Sequence, residues 1–333
     1  MSHFVNQVPS ISPGSKSFSA IPRASSQADC ETTTPIADLP CEICGAIGAK
    51  IHRAREMMFG MKEEFRYGEC LACGCLALLN APSDFSKYYQ DGYYSMVQRS
   101  TNILGKLRDR VYLSPLSGLV NWHKRSDLDA MKRCGLEKRH RILDVGCGAG
   151  RLLRDLRELG YKAEGVDPFI THDIVDRFGV RVFKKSLDEV NGRYDIIVFR
   201  HSLEHMPRQL DVLRSARRHI VRGGLCVIAI PLVGWAWRQY GVDWVQLDAP
   251  RHLFLHTRKS FESLVAKTEL RIEAVVYDSS EFQFWASDLY KEGRALRGCT
   301  PPSWFDAIQM RKRANGLNRA QDGDQAQFYL RAI

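Results

Sequence analysis

Three groups of residues in this chain have types and spacings that could do chemistry. The first is a glycine cluster, Gly146, Gly148 and Gly150, preceded by Asp144 and followed about twenty residues later by Asp167. Glycines let the backbone turn sharply and let a ligand approach the main chain, and a distal acid can accept hydrogen bonds from a ribose. The second is a pair of C-x-x-C steps, Cys41/Cys44 and Cys70/Cys73, separated by 25 residues. Each step places two thiolates on one small turn, and two turns complete a tetrahedron, the coordination of structural zinc. The third comprises His205 and His252, with Glu204 beside the former. An imidazole titrates near neutrality and suits general-base work, and Glu204 could orient it or meet a cofactor.

The elements that must position these groups can be read around them. Residues 141–145 form a short apolar strand running into the glycine turn. A helix follows with Leu152, Leu153, Leu156 and Leu159 on one face and Gly160 as its stop. A second strand, residues 162–166, ends at Asp167. Residues 194–199 read as a further strand, with His201 to Met206 leaving its carboxyl end. A helix over 210–221 leads through Gly223 and Gly224 into a strand at 225–230. In such a doubly wound sheet the ligand crevice lies beyond the carboxyl ends of the strands.

The glycine spacing is G-x-G-x-G, whereas the dinucleotide fingerprint is G-x-G-x-x-G. Arg151 stands at the position of the third glycine and is expected to block the close packing that glycine allows. The run Leu143-Asp144-Val145-Gly146-Cys147-Gly148-Ala149-Gly150, with Gly165-Val166-Asp167 after it, closely resembles the class I S-adenosylmethionine-dependent methyltransferases. The resemblance implies that the glycine turn holds the methionine part of the cofactor and Asp167 its ribose. It also places Leu187, in Ser186-Leu187-Asp188, where the family contacts adenine, and it covers about residues 139–333.

The expected fold is therefore α/β: a Rossmann-like class I methyltransferase sheet with an N-terminal zinc ribbon and a helical linker. The expected organisation is a disordered tail at 1–38, the ribbon at 39–82, a helical linker or cap at 83–138 and the methyltransferase domain at 139–333. The tail is rich in Ser, Thr and Pro and poor in large apolar residues. With four thiolates at Cys41, Cys44, Cys70 and Cys73 the zinc site is closed, hence structural. Cys75 is an alternative to Cys73, and the C-x-x-C spacing favours Cys73. A tyrosine-rich segment (Tyr88, Tyr89, Tyr93, Tyr94) follows. Ribbon, tyrosine segment and methyltransferase domain, in that order, resemble a bacterial group that includes sugar C-methyltransferases and polysaccharide-associated methyltransferases.

Composition narrows the partners. The chain has 333 residues, 44% of them apolar, and a formal net charge of +10. That length accommodates two domains. No apolar run reaches the roughly 18 residues of a membrane span, and residues 1–40 lack the pattern of a secretory signal. The ten cysteines show no extracellular disulfide framework, which favours the cytoplasm. Residues 99–141 carry eleven Lys or Arg against four acids. Such a run either forms a solvated helix face or steers an anionic partner. Trp235, Trp237, Tyr240 and Trp244 could wall an acceptor pocket or be core, and Arg251 could meet a phosphate or carboxylate. The expected acceptor is a small or carrier-linked anionic molecule, a sugar or cell-surface precursor, with no specific nucleic acid. The runners-up are a zinc-ribbon RNA base methyltransferase and a non-catalytic cofactor-binding scaffold. Against the first, the segment after the 194–199 strand has no Asn-Pro-Pro-Tyr-like sequence.

Overall fold

A computed structural model describes residues 36–89, 126–176 and 179–333. Residues 1–35 of the tail, Tyr93, Tyr94 and most of the basic stretch at 99–141 lie outside the described residues, whereas residues 36–38, read as tail, begin a β-strand. The larger of two sheets has eight strands: β5 (Arg141–Val145), β6 (Lys162–Val166), β7 (Ile174–Val175), β8 (Arg181–Phe183), β9 (Tyr194–Arg200), β10 (Ile220–Pro231), β12 (Leu270–Tyr277) and β13 (Gln325–Ala332). Their order is β12-β13-β10-β9-β5-β6-β8-β7. Pairing is parallel from β10 through β9, β5 and β6 to β8, while β13 is antiparallel to both β10 and β12.

The central strand shows why the sheet buries both faces. Ile142 of β5 faces one core with Leu152, Leu153 and Leu156 of helix α2 (Arg151–Glu158). Leu143 and Val145 face the other, with Leu213 and Ala216 of α3 (Gln209–His219) and Phe261 of α5 (Arg258–Val265). Strands buried on both sides read as continuous apolar runs, which is how β5 and β9 read. Helix α2 stops where Gly160 takes a φ of +85°. Helix α3 is shorter than the sequence suggests, because β10 begins at Ile220 and carries an irregularity before Leu225 that takes up Gly223 and Gly224.

The second sheet contains β1 (Ile36–Pro40), β2 (Ile47–Arg55), β3 (Glu64–Cys70) and β4 (Leu76–Leu78). It does not end with the cysteine segment. Strand β4 pairs with β11 (Phe254–Leu255), residues that follow His252 in the chain. A shared core seals this junction: Phe65, Tyr67, Leu76 and Tyr88 pack with Trp237, Trp244, Leu247 and Leu255. Among the described residues no helix is long and apolar enough to cross a membrane.

Candidate functional site

The parallel order changes direction between β5 and β9, so a crevice opens at their carboxyl ends. Gly146 leaves β5 with a φ of +72°, and its N–H donates to the Val166 carbonyl at 2.8 Å. A Cβ there would sit 2.5 Å from that of Ser202, so glycine is required by conformation and by space. Ser202 Oγ in turn donates to the Val145 carbonyl at 2.7 Å, tying the exit of β9 to the end of β5.

Asp167 is buried, and its carboxylate braces the turn: Oδ2 accepts from the Gly148 N–H at 2.8 Å and Oδ1 from the Phe169 N–H at 2.9 Å. Each oxygen keeps a second lone pair for a ribose hydroxyl. Asp144 is buried at the carboxyl end of β5. Leu187 is buried at the start of a 3₁₀ turn that Ser186 and Glu189 close as a capping box. Arg151 behaves otherwise than expected. It is exposed, and Gly150 makes the close helix–strand approach, since a Cβ there would lie 2.9 Å from Val182. The arginine therefore blocks nothing, because the turn places it on the outer face of the first helical residue.

Beyond β9 the turn carries Glu204 and His205. Glu204 is 1% exposed, and neither of its oxygens has a hydrogen-bond partner. His201 Nδ1 lies 3.5 Å from Oε1, outside good hydrogen-bond geometry, and His252 Nε2 lies 4.0 Å away. His205 and His252 stack at 4.7 Å between ring centroids. Their Nδ1 atoms meet backbone carbonyls, Arg251 at 2.8 Å and Gln246 at 2.7 Å. In the neutral form of either ring those bonds require the Nδ1–H tautomer and leave Nε2 as the bare nitrogen.

Burial pushes the Glu204 carboxyl up, but His201, His205 and His252 outweigh it and hold the group below its usual range. Burial and the neighbouring His205 press His252 down to about 4, so its ring is neutral at physiological pH. Burial also presses on His201, yet Glu204 overcomes it and lifts that imidazole above its ordinary value. The ligand atoms of Glu204, His205 and His252 lie within 4.8 Å of one another, close enough to converge on one acceptor group or cation.

One sequence reading of this region is corrected, and one left open is decided. Arg251 does not face a substrate. It is fully buried, with Nε on both Asp248 oxygens at 2.9 Å, Nη2 on Glu56 at 3.0 Å and Nη1 on the Tyr88 carbonyl at 3.1 Å. The aromatic stretch is not an open wall either. Trp237 and Trp244 are buried in the core between the sheets, and Trp244 Nε1 donates to buried Asp324. Both outcomes follow from burial, which turns large side chains inward when a second layer covers them. Asp248, Glu56, Tyr67 and Ser202 were not marked by the sequence, since no local spacing distinguishes them.

The four cysteines converge as spaced. Cys41 and Cys73 sulfurs are 3.7 Å apart and those of Cys44 and Cys70 are 3.6 Å apart, with all four mutually within 4.8 Å. Tetrahedral zinc with Zn–S bonds of about 2.3 Å requires edges of about 3.8 Å. The two knuckles repeat one pattern: Gly45 N–H donates to the Cys41 carbonyl and Gly74 N–H to the Cys70 carbonyl, each at 2.8 Å. Burial pushes the Cys70 thiol up, but the N–H groups of Cys73 and Ala72 prevail and hold it at about 7. Cys75 is outside the set; its thiol points to the Leu76 carbonyl.

The chain is similar to known proteins over part of its length. Residues 122–275 match a family model described as a methyltransferase domain. Over those residues, a little under half of the chain, it carries a methyltransferase domain. It is 29% identical over 116 residues to a ubiquinone biosynthesis O-methyltransferase of Pseudomonas aeruginosa, covering 32% of this chain and 47% of that one. Against the protein of the same name from Rickettsia bellii it is 23% identical over 167 residues, 44% of this chain and 69% of the other. The chain spans about half the length of the Pseudomonas relatives it matches. Among solved structures it is similar to a geranyl diphosphate C-methyltransferase from Streptomyces coelicolor, with 12% identity, a TM-score of 0.45 and coverage of 76% of this chain and all of the other.

Proposed function

We propose that this chain is an S-adenosylmethionine-dependent methyltransferase acting on a small or carrier-linked anionic acceptor, with Glu204, His205 and His252 as the acceptor-activating centre. One observation carries the reading. A buried carboxylate and a buried imidazole nitrogen, both without hydrogen-bond partners, meet His205 at the carboxyl end of β9, beside the glycine turn. Unsatisfied buried polar groups are costly and persist where a ligand completes them.

The bound cofactor supplies a methyl group on a sulfonium. The residues that would hold it are Gly146, Gly148 and Gly150 with Asp144 beneath them, Asp167 at the ribose, Leu187 at the adenine and Glu204 at the crevice. The chain's own work is alignment and proton removal. His205 Nε2 takes the acceptor proton as the methyl is transferred. The Arg251 carbonyl on Nδ1 fixes the tautomer, and Glu204 stabilises the imidazolium that results. His252 stands second as base, because burial keeps its proton affinity low. In this reading residues 39–82 are a zinc ribbon with Cys41, Cys44, Cys70 and Cys73 as ligands, and 139–333 is the catalytic domain.

With Trp237 and Trp244 buried, the sugar or cell-surface precursor rests on the resemblance of the chain's motifs, and the anionic character on the basic stretch at 99–141. The test offers radiolabelled S-adenosylmethionine with nucleotide-linked sugars, lipid-linked precursors and total RNA as acceptors. Label should enter a small or carrier-linked fraction, and His205→Ala should lower its rate about 10²–10⁴-fold. Selective labelling of RNA at physiological salt would replace this acceptor class. Full turnover in both His205→Ala and His252→Ala would remove the histidine base.

A further inference from the structure

The segment from Asp248 to Leu253 lies between the two sheets, and each of its last three residues is held from both sides. Arg251 sends its guanidinium to Glu56 at the end of β2, while its carbonyl accepts from His205 Nδ1. The His252 carbonyl accepts from the Tyr67 hydroxyl of β3 at 2.8 Å, while its ring faces Glu204. The Leu253 carbonyl accepts from the Leu78 N–H of β4 at 2.9 Å, while its own N–H donates to the Glu204 carbonyl at 2.8 Å. The second cysteine knuckle is docked just beyond. Thr257 Oγ1 donates to the Cys73 carbonyl at 2.6 Å and Lys259 Nζ to the Ala72 carbonyl at 2.9 Å.

We infer that the four-cysteine ribbon is a positioning element of the catalytic centre, with Tyr67 and Glu56 as positioning residues that act through the Arg251–Leu253 backbone on His252, His205 and Glu204. The physical argument concerns what fixes these groups. Neither Glu204 oxygen and not His252 Nε2 has a hydrogen bond of its own to hold it. The place of Glu204 is therefore set by the backbone that carries it, and that of the His252 ring by its backbone and its Nδ1 bond to the Gln246 carbonyl; the Arg251 side chain and the His252 and Leu253 carbonyls of this segment are anchored by Glu56, Tyr67 and Leu78 of the cysteine segment. A module built to dock an outside partner would turn its polar groups outward. Tyr67 is instead fully buried, and Glu56 is buried with its carboxylate on Arg251 and on the Phe59 and Met61 N–H groups. An error of about 1 Å in such a centre can cost as much as 10²-fold in rate.

This inference rests on the function proposed above for the role of the centre, and its test is chosen to fail separately. Tyr67→Phe in the full-length, zinc-containing protein removes one hydroxyl and keeps the ring, leaving the His252 carbonyl short of a partner. Diethyl pyrocarbonate, which modifies unprotonated imidazole, is applied at pH 7 and its products are counted histidine by histidine by peptide mass spectrometry. Modification of His252 should be at least about 5-fold faster than in the wild type, because the loosened segment exposes a ring that is 2% exposed. His219, held by the Ser215 and Val190 carbonyls far along the chain, should be unchanged. S-adenosylhomocysteine affinity should stay within about twofold, since the glycine turn is untouched. Glu56→Gln should act in the same direction. With an acceptor in hand, Tyr67→Phe should lower kcat about 10-fold with the cofactor KM unchanged. Unchanged His252 reactivity in both variants overturns the inference, as does an equal rise at His252 and His219, which means general loosening. Wild-type protein that fails to bind S-adenosylhomocysteine refutes the proposed function instead.

Discussion

Replacing Asp167 by Asn tests the cofactor site most directly, because the structure gives this carboxylate two duties. Its oxygens accept the Gly148 and Phe169 N–H groups at 2.8 and 2.9 Å, and they offer their remaining lone pairs to the crevice. The amide preserves shape and one acceptor oxygen, but turns an NH₂ toward the other backbone N–H. One charge-assisted bond is lost inside the turn, worth about 1.5–3 kcal/mol of stability. One charged acceptor for the ribose is lost as well, about 1.5–3 kcal/mol of binding, or roughly 10–150-fold in Kd. Alanine is the poorer probe, since it strips both backbone donors and loosens the turn. Calorimetry with S-adenosylhomocysteine measures the affinity, and urea unfolding of the same samples measures the stability. A variant that is destabilised but binds with wild-type affinity refutes the ribose assignment and leaves Asp167 as a brace. The wild type should bind S-adenosylhomocysteine and show no heat with NAD.

Elemental analysis of protein purified without chelator should find about one zinc per chain, and Cys73→Ser should lose it while Cys75→Ser keeps it. Arg251→Met should cost about 3–5 kcal/mol in urea unfolding, because it leaves Glu56 and Asp248 buried without their counter-charge. A loss under about 1 kcal/mol would restore a surface role for Arg251. Acid should destabilise the fold. His252 and His256 are pressed by burial to about 4 and about 3, so below the ordinary value of about 6.5 the unfolded chain binds protons that the folded one does not. Stability contributed by each is present above pH 6.5 and falls by as much as about 3 kcal/mol toward pH 4. Asp324, raised by burial to about 6, works in the opposite sense and offsets one of them. The urea midpoint should therefore be lower at pH 4.5 than at pH 7, and an equal or higher midpoint contradicts the buried, neutral histidines.

The sequence alone determined what depends on neighbours in the chain. The glycine turn with Asp167, the leucine face of α2 with its stop at Gly160, and the two C-x-x-C knuckles are all set by spacings of a few residues, where backbone conformation and short-range bonds decide. The choice of Cys73 over Cys75 is of the same kind, because one tight turn delivers both sulfurs of a pair. Only the tertiary structure decided what depends on a second layer. Arg251 and Glu56 are 195 residues apart in sequence, and no local pattern marks them as a buried pair. Trp237 and Trp244 read equally well as a pocket wall or as core until the ribbon sheet is laid over them. Strand β11 has two residues and is a strand only because β4 is there to receive it. His205 and His252 were each legible as candidates, but their convergence on Glu204 was not. It arises where the β9 exit and the Arg251–Leu253 backbone are bonded to each other, and long-range pairing of that kind leaves no periodicity in the chain.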